Sequence, residues 1–200
     1  MYLVALGLIV LASIVIVRRA SGAPLSRMRP YADLFCMGAA FLLLETTNVV
    51  RFALLFGTTW FVNALVFAGV LLVVLAAVET TRRFRTPPLP VVFAGIAASL
   101  ALAWVVRPEW LLGLPFSSRL VAATLIAFLP IYLANVAFAK RFADSADSQS
   151  AFAINLLGAI VGGCLEYAAL VSGYNNLLIV TGLLYLVAFL LIPRGAVRVA

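Results

Sequence analysis

The chain has 200 residues, of which 66% are apolar and only 10% are charged, and its mean hydropathy is +1.18. Soluble domains carry roughly 25% charged residues, so this chain cannot cover a folded surface in water. The composition therefore excludes a water-soluble domain and indicates an integral membrane protein.

Apolar runs bounded by charges, prolines or turn residues follow one another along almost the whole chain. Each run is close to the roughly 20 residues that a membrane helix needs. We therefore predict an all-α polytopic bundle of about seven transmembrane helices, forming a single transmembrane domain over residues 1–200. The predicted spans are residues 2–17, 31–56, 60–78, 90–106, 120–139, 151–171 and 177–192.

The connections between the predicted spans are alternately rich and poor in basic residues. Eleven of the fourteen lie on one predicted side, and Arg107 and Arg119 are the two on the other. Basic loops stay cytoplasmic, which predicts an N-terminus outside and a C-terminus inside. The first run is interpreted as an uncleaved anchor, since positive charges follow it, whereas they precede the apolar part of a signal peptide. Abundant alanine and arginine suggest a bacterial cytoplasmic (inner) membrane.

The residue inventory argues against several kinds of reactive site. The sequence has no histidine, and its two cysteines, Cys36 and Cys164, fall in apolar segments. It also lacks the glycine-rich motifs of nucleotide-binding loops. We therefore expect no metal, no cofactor and no enzymatic activity. The net charge of +7 is interpreted as a signal of membrane orientation, not of nucleic-acid binding.

Polar and ionisable residues fall inside the predicted second and sixth spans. Ionisable groups cost about 2.5–3.5 kcal/mol at membrane depth, so they need partners or a function. Helical spacing confines those of the second span to an arc of about 120°, which should face the protein interior. The predicted intramembrane polar cluster is Glu45, Asn48, Arg51, Asn155 and Glu166.

Small residues share one face of the sixth span with part of this cluster. Gly158 and Gly162 form a small-xxx-small pair, with Gly163 adjacent, so another helix can approach closely there. We expect the second span to pack at this face. Counting 1.5 Å per residue puts Arg51 and Glu166 at similar depth, which predicts an ion pair between them. The cluster could fix helix packing, form a functional polar site or dock a partner, and these alternatives stay open.

Three segments carry a resemblance to a known family. They are residues 41–46 (FLLLET), 52–60 (FALLFGTTW) and 155–167 (NLLGAIVGGCLEY). In these segments the chain resembles the C-terminal multi-pass portion of large bacterial membrane proteins that also carry a spermidine-synthase-like domain. Thr47 stands where that family commonly has a lysine. The sequence contains no synthase domain, so the resemblance implies the membrane portion alone, working with a separately encoded partner.

Two kinds of function are consistent with these features. The first is a non-catalytic membrane subunit that anchors or scaffolds a larger assembly, with the bilayer and a protein partner or further copies of the chain as its contacts. The alternative is a small transporter or channel for a cation or polyamine, which would use the intramembrane polar cluster.

Overall fold

The computed structural model describes residues 7–8, 11–15, 19 and 30–193. All the regular structure in this part of the chain is helical. The elements within residues 30–193 are α1 (Ala32–Phe56), α2 (Trp60–Arg83), α3 (Leu89–Val105), α4 (Pro108–Leu112), α5 (Phe116–Ala143), α6 (Ser148–Leu165), a 3-10 turn (Glu166–Ala168), α7 (Ala169–Ser172) and α8 (Tyr174–Leu191).

Five of these helices, α1, α2, α5, α6 and α8, are long and apolar enough to cross a membrane, and α3 is a shorter apolar helix of 17 residues. The prediction of an all-helical membrane protein is confirmed at this level. The predicted first span, residues 2–17, lies largely outside the described residues. The count of seven spans and the orientation of the termini stay predictions.

Several helix boundaries differ from the predicted spans because charged residues can extend a helix beyond its apolar part. Helix α2 continues to Arg83, and Glu79 pairs there with Arg82 and Arg83 in the last turn. Helix α5 starts four residues earlier and ends four residues later than the predicted span 120–139. The short helix α4 lies in a predicted loop, where Pro108 provides a favourable first helical residue.

Helix α1 forms the centre of the bundle and contacts α2, α5, α6 and α8. Helix α2, by contrast, buries only Val66, Val70 and Ala77. The rest of its length is dominated by exposed apolar side chains such as Leu71 and Leu75. An apolar helix that is largely exposed in this way is suited to contact lipid rather than water.

The contact between α1 and α6 depends on glycines. A Cβ atom on Gly158 would overlap the carbonyl oxygen of Phe35, and one on Gly162 would overlap that of Ala39. Successive contacts advance in the same direction along both helices, so α1 and α6 are parallel. Gly163 lies beside this contact, where a Cβ atom would come 3.0 Å from Leu42. The two helices therefore approach backbone to backbone, as small residues allow in membrane bundles.

Replacing Gly158 with alanine should destabilise the bundle, because the added methyl group meets a backbone carbonyl that cannot move aside. Overpacking of this kind costs about 1–3 kcal/mol. Thermal unfolding of the detergent-purified protein measures the change. Gly182→Ala is the matched control, since its nearest neighbouring atom would be 3.9 Å away. This control should keep or slightly raise stability through helix propensity, and equal losses in both variants would contradict the proposed close contact.

Candidate functional site

The five residues of the predicted polar cluster do not form one network in the structure. Asn48 on α1 donates a hydrogen bond to the carbonyl of Ala127 on α5, at 3.0 Å. Asn155 on α6 donates to the carbonyl of Leu34 on α1, at 2.9 Å. Both asparagines thus connect two helices through a backbone carbonyl instead of through another side chain of the cluster.

The bond from Asn48 lies at a weak point of α5. Pro130 is buried inside this helix and has no N–H, so the carbonyl of Ile126, four residues earlier, loses its usual donor. Asn48 donates to the next carbonyl along, that of Ala127. Membrane helices tolerate proline where a neighbouring helix supplies polar groups at the interrupted turn. Asn48 lies beside the interrupted turn in this way, although it bonds the carbonyl next to the one that the proline leaves without a donor.

The predicted ion pair between Arg51 and Glu166 is wrong. The Nη2 atom of Arg51 instead donates to the carbonyls of Ala103, at 2.5 Å, and Val106, at 3.4 Å, and to Oδ1 of Asn175, at 3.0 Å. Ala103 lies in the last turn of α3, where backbone carbonyls have no helical N–H to accept from. Counting residues along a span gives the depth of Arg51 but not the position of a neighbouring helix end. The free carbonyls at the end of α3 are therefore partners that the prediction did not include.

Asn175 completes this arrangement at the end of α3. Its Oδ1 accepts from Arg51, and its Nδ2 donates to the carbonyl of Trp104, at 3.2 Å. Arg51 and Asn175 together therefore cap α3 from two other helices, α1 and α8. A positive charge at a helix C-terminus also interacts favourably with the helix dipole.

A cavity of about 350 Å³ opens beside this cap, at the end of the bundle where α1 ends and α8 begins. Its volume lies within the range of small-ligand sites, roughly 300–1,000 Å³. We call it the Arg51 pocket. It is lined by Val50, Arg51, Leu54, Arg107, Pro108, Glu109, Tyr174 and Asn175.

The two glutamates of the predicted cluster lie elsewhere. Glu45 and Glu166 are each half-buried, and neither lines the Arg51 pocket. Within residues 30–193 the structure gives neither carboxylate an ion pair or a hydrogen bond. The structure therefore separates the acidic members of the cluster from the arginine that was expected to neutralise them.

A buried ion pair at the opposite end of the bundle was missed by the sequence analysis. Asp33 on α1 and Arg141 on α5 are 0% and 4% exposed, and Arg141 Nε donates to Asp33 Oδ2 at 2.5 Å. Arg141 also donates to the carbonyl of Pro30, at 3.3 Å. The sequence places Arg141 in a basic loop. The one sequence feature that could have indicated this pair is Asp33 itself, an isolated aspartate in the first turn of a predicted span, at the end of the bundle that carries the basic loops.

Comparison of the chain with protein-family models, with curated proteins and with solved structures finds no match. The resemblance to the membrane portion of spermidine-synthase-like proteins therefore stays a hypothesis.

Breaking the Asp33–Arg141 pair from one side should cost more than replacing both partners. Asp33→Leu or Arg141→Leu alone leaves a buried charge without its counterion, at a cost of about 3–5 kcal/mol. The double replacement removes both charges and should recover most of that loss. Thermal unfolding of the unaltered protein and the three variants in detergent gives the coupling free energy between the two residues as a double-mutant cycle. Additive losses in the double variant would contradict a strongly coupled buried pair.

Arg51 and Asn175 should be energetically coupled, because they cap α3 as one unit. Asn175→Ala leaves the Trp104 carbonyl without its donor and Arg51 without one acceptor, at an expected cost of about 0.5–1.5 kcal/mol for partly exposed hydrogen bonds. After Arg51→Leu, the same asparagine change should cost less, since residues in one network are non-additive. A double-mutant cycle by thermal unfolding tests this. Asn63→Ala, outside the Arg51 pocket, is the control and should add independently to Arg51→Leu.

Proposed function

We propose that this protein is a non-catalytic integral membrane subunit that anchors or scaffolds a larger assembly. One observation carries the proposal: the polar side chains within the bundle hold the helices together. Asn48, Arg51 and Asn155 each donate to a backbone carbonyl of a different helix. Bonds of this kind between helices stabilise one fixed arrangement of the bundle, which suits a scaffold.

The charge distribution supports the finer topology of seven spans, with the N-terminus outside and the C-terminus in the cytoplasm of a bacterium. The parallel packing of α1 and α6 is what the predicted second and sixth spans require, since both run from inside to outside. The basic residues after α2 and at the end of α5 lie at the end where α1 begins. Retention of basic residues on the cytoplasmic side supports this orientation.

The same basic end is the surface we assign to a partner. Arg82 and Arg83 are 70% and 64% exposed in their side chains, and Arg85 follows them in an exposed loop. A cytoplasmic protein with an acidic surface is complementary to this cluster. The resemblance described above suggests a soluble synthase-like chain as one such partner, and a further copy of this chain is the other case.

A cation or polyamine transporter is the second candidate, and the glutamates favour it. Ala39 faces Gly162 across the parallel helices, and Glu45 and Glu166 lie about 9 and 6 Å further along them at 1.5 Å per residue. Two half-buried carboxylates at one level suit a cation. Against this function, the Arg51 pocket and a second cavity of about 140 Å³, which includes Asn155 and Tyr185, share no lining residue.

Purification in mild detergent from the native membrane tests the subunit proposal. We expect a stoichiometric protein partner, identified by mass spectrometry. Replacing Arg82, Arg83 and Arg85 with glutamine should weaken its retention, since these side chains form the exposed basic cluster. Arg107→Gln with Arg119→Gln removes charge from the opposite end and is the matched control.

A chain that purifies without a partner would contradict the subunit proposal. Flux into reconstituted vesicles would then decide the alternative. A transporter of cations predicts that Glu45→Gln and Glu166→Gln abolish the flux, whereas flux that is absent in the unaltered protein would reject it.

A further inference from the structure

The Arg51 pocket carries an excess of positive charge. It contains two guanidinium groups, those of Arg51 and Arg107, against one carboxylate, that of Glu109. The pocket also includes Tyr174 and Asn175, the first two residues of the 18-residue helix α8. The N-terminus of a helix adds partial positive charge and N–H donors that favour an anion. The electrostatics of the pocket therefore select an anionic ligand over a cation.

Arg51 retains hydrogen-bonding capacity beyond its bonds to the end of α3. It is only 9% exposed, and its three hydrogen bonds to Ala103, Val106 and Asn175 all use Nη2. A guanidinium has five N–H donors, so the three on Nε and Nη1 are not used by these bonds. A buried arginine with donors left over lines a cavity, and this is the feature that points to a ligand.

Part of the pocket wall is apolar. Val50 and Leu54 of α1 line it, and Leu54 is 63% exposed although it is a large apolar side chain. Trp104, Trp110 and Tyr174 are exposed at the same end of the bundle. Such aromatic residues are enriched where the hydrocarbon meets the headgroups of a bilayer. The pocket therefore combines cationic donors with an apolar wall at the level of the lipid headgroups.

We propose that the Arg51 pocket binds the phosphate of an anionic phospholipid. Arg51 and Arg107 donate hydrogen bonds to the phosphate oxygens, since a planar guanidinium can direct two parallel N–H groups at a pair of such oxygens. The glycerol and the start of the acyl chains lie along Val50 and Leu54. Free inorganic phosphate offers the same oxygens but nothing for the apolar part of the wall, so the lipid is the occupant that uses both the cationic and the apolar lining residues. The proposal is independent of the subunit function.

Native mass spectrometry of the delipidated protein, titrated with phosphatidylglycerol, tests the proposal. Arg107 is exposed, so Arg107→Gln should leave the fold intact and weaken binding about tenfold, as expected for the loss of one charge-assisted hydrogen bond. Glu109→Gln removes the competing carboxylate and should tighten binding. Arg119→Gln is the control, since Arg119 lies at the same end over the rings of Phe56 and Phe116 and outside the pocket.

Phosphatidylcholine and inorganic phosphate are the comparison probes. We expect weaker retention of phosphatidylcholine and no displacement of phosphatidylglycerol by millimolar phosphate. Equal losses in Arg107→Gln and Arg119→Gln would mean general attraction of anionic lipid to the surface, and would overturn the proposal. Arg107-dependent binding of inorganic phosphate without binding of phosphatidylglycerol would assign the pocket to a soluble phosphate and overturn the lipid assignment.

Discussion

The constraint on which this structure depends is that polar groups inside a membrane must find hydrogen-bond partners within the protein. Four side chains meet it by reaching from one helix to a carbonyl of another: Asn48, Arg51, Asn155 and Asn175. In hydrocarbon an unsatisfied polar group costs several kcal/mol, and the bonds from Asn48 to Ala127 and from Arg51 to Ala103 are buried. Three of the four, those of Asn48, Arg51 and Asn175, lie beside an irregular point, namely the proline in α5 or the open end of α3.

Helix α1 can make most of these connections because its faces have different chemistry. One face carries Gly38 and Ala39 and lies directly against α6, where the backbones are too close for larger side chains. Another carries Asn48 and Arg51 and reaches α5, α3 and α8. Asp33, at the start of the helix, holds the end of α5 through Arg141. A single helix therefore fixes the positions of its neighbours by close packing on one side and by polar bonds elsewhere.

The sequence predicts the helical class and the contact between α1 and α6 well, because both follow from one-dimensional patterns. Apolar runs locate the helices, and the spacing of Gly158 and Gly162 identifies the close face. The partner of Arg51 could not be predicted in this way. Helical geometry predicts the direction and depth of a side chain. It does not predict that a free backbone carbonyl at the end of another helix lies nearby, because every residue type has the same carbonyl.

The Asp33–Arg141 pair escaped prediction for a related reason. Arg141 and Lys140 look like loop residues, and the apolar run ends before them, whereas α5 continues to Ala143. The long side chain of Arg141 then turns back against the bundle, with its guanidinium 5.9 Å from the centre of the Tyr31 ring. Charge at the end of an apolar run thus marks where lipid contact ends, which is a different position from where the helix ends.

The same constraint explains why the glutamates stand apart from the other polar residues. Helix ends and proline turns leave surplus acceptors, so donors such as arginine and asparagine find partners on the backbone. A carboxylate is itself an acceptor and gains nothing from those carbonyls. Glu45 and Glu166 are thus the members of the predicted cluster that the packing scheme does not employ. Any role they have depends on a proton, a cation or a donor from outside the described helices.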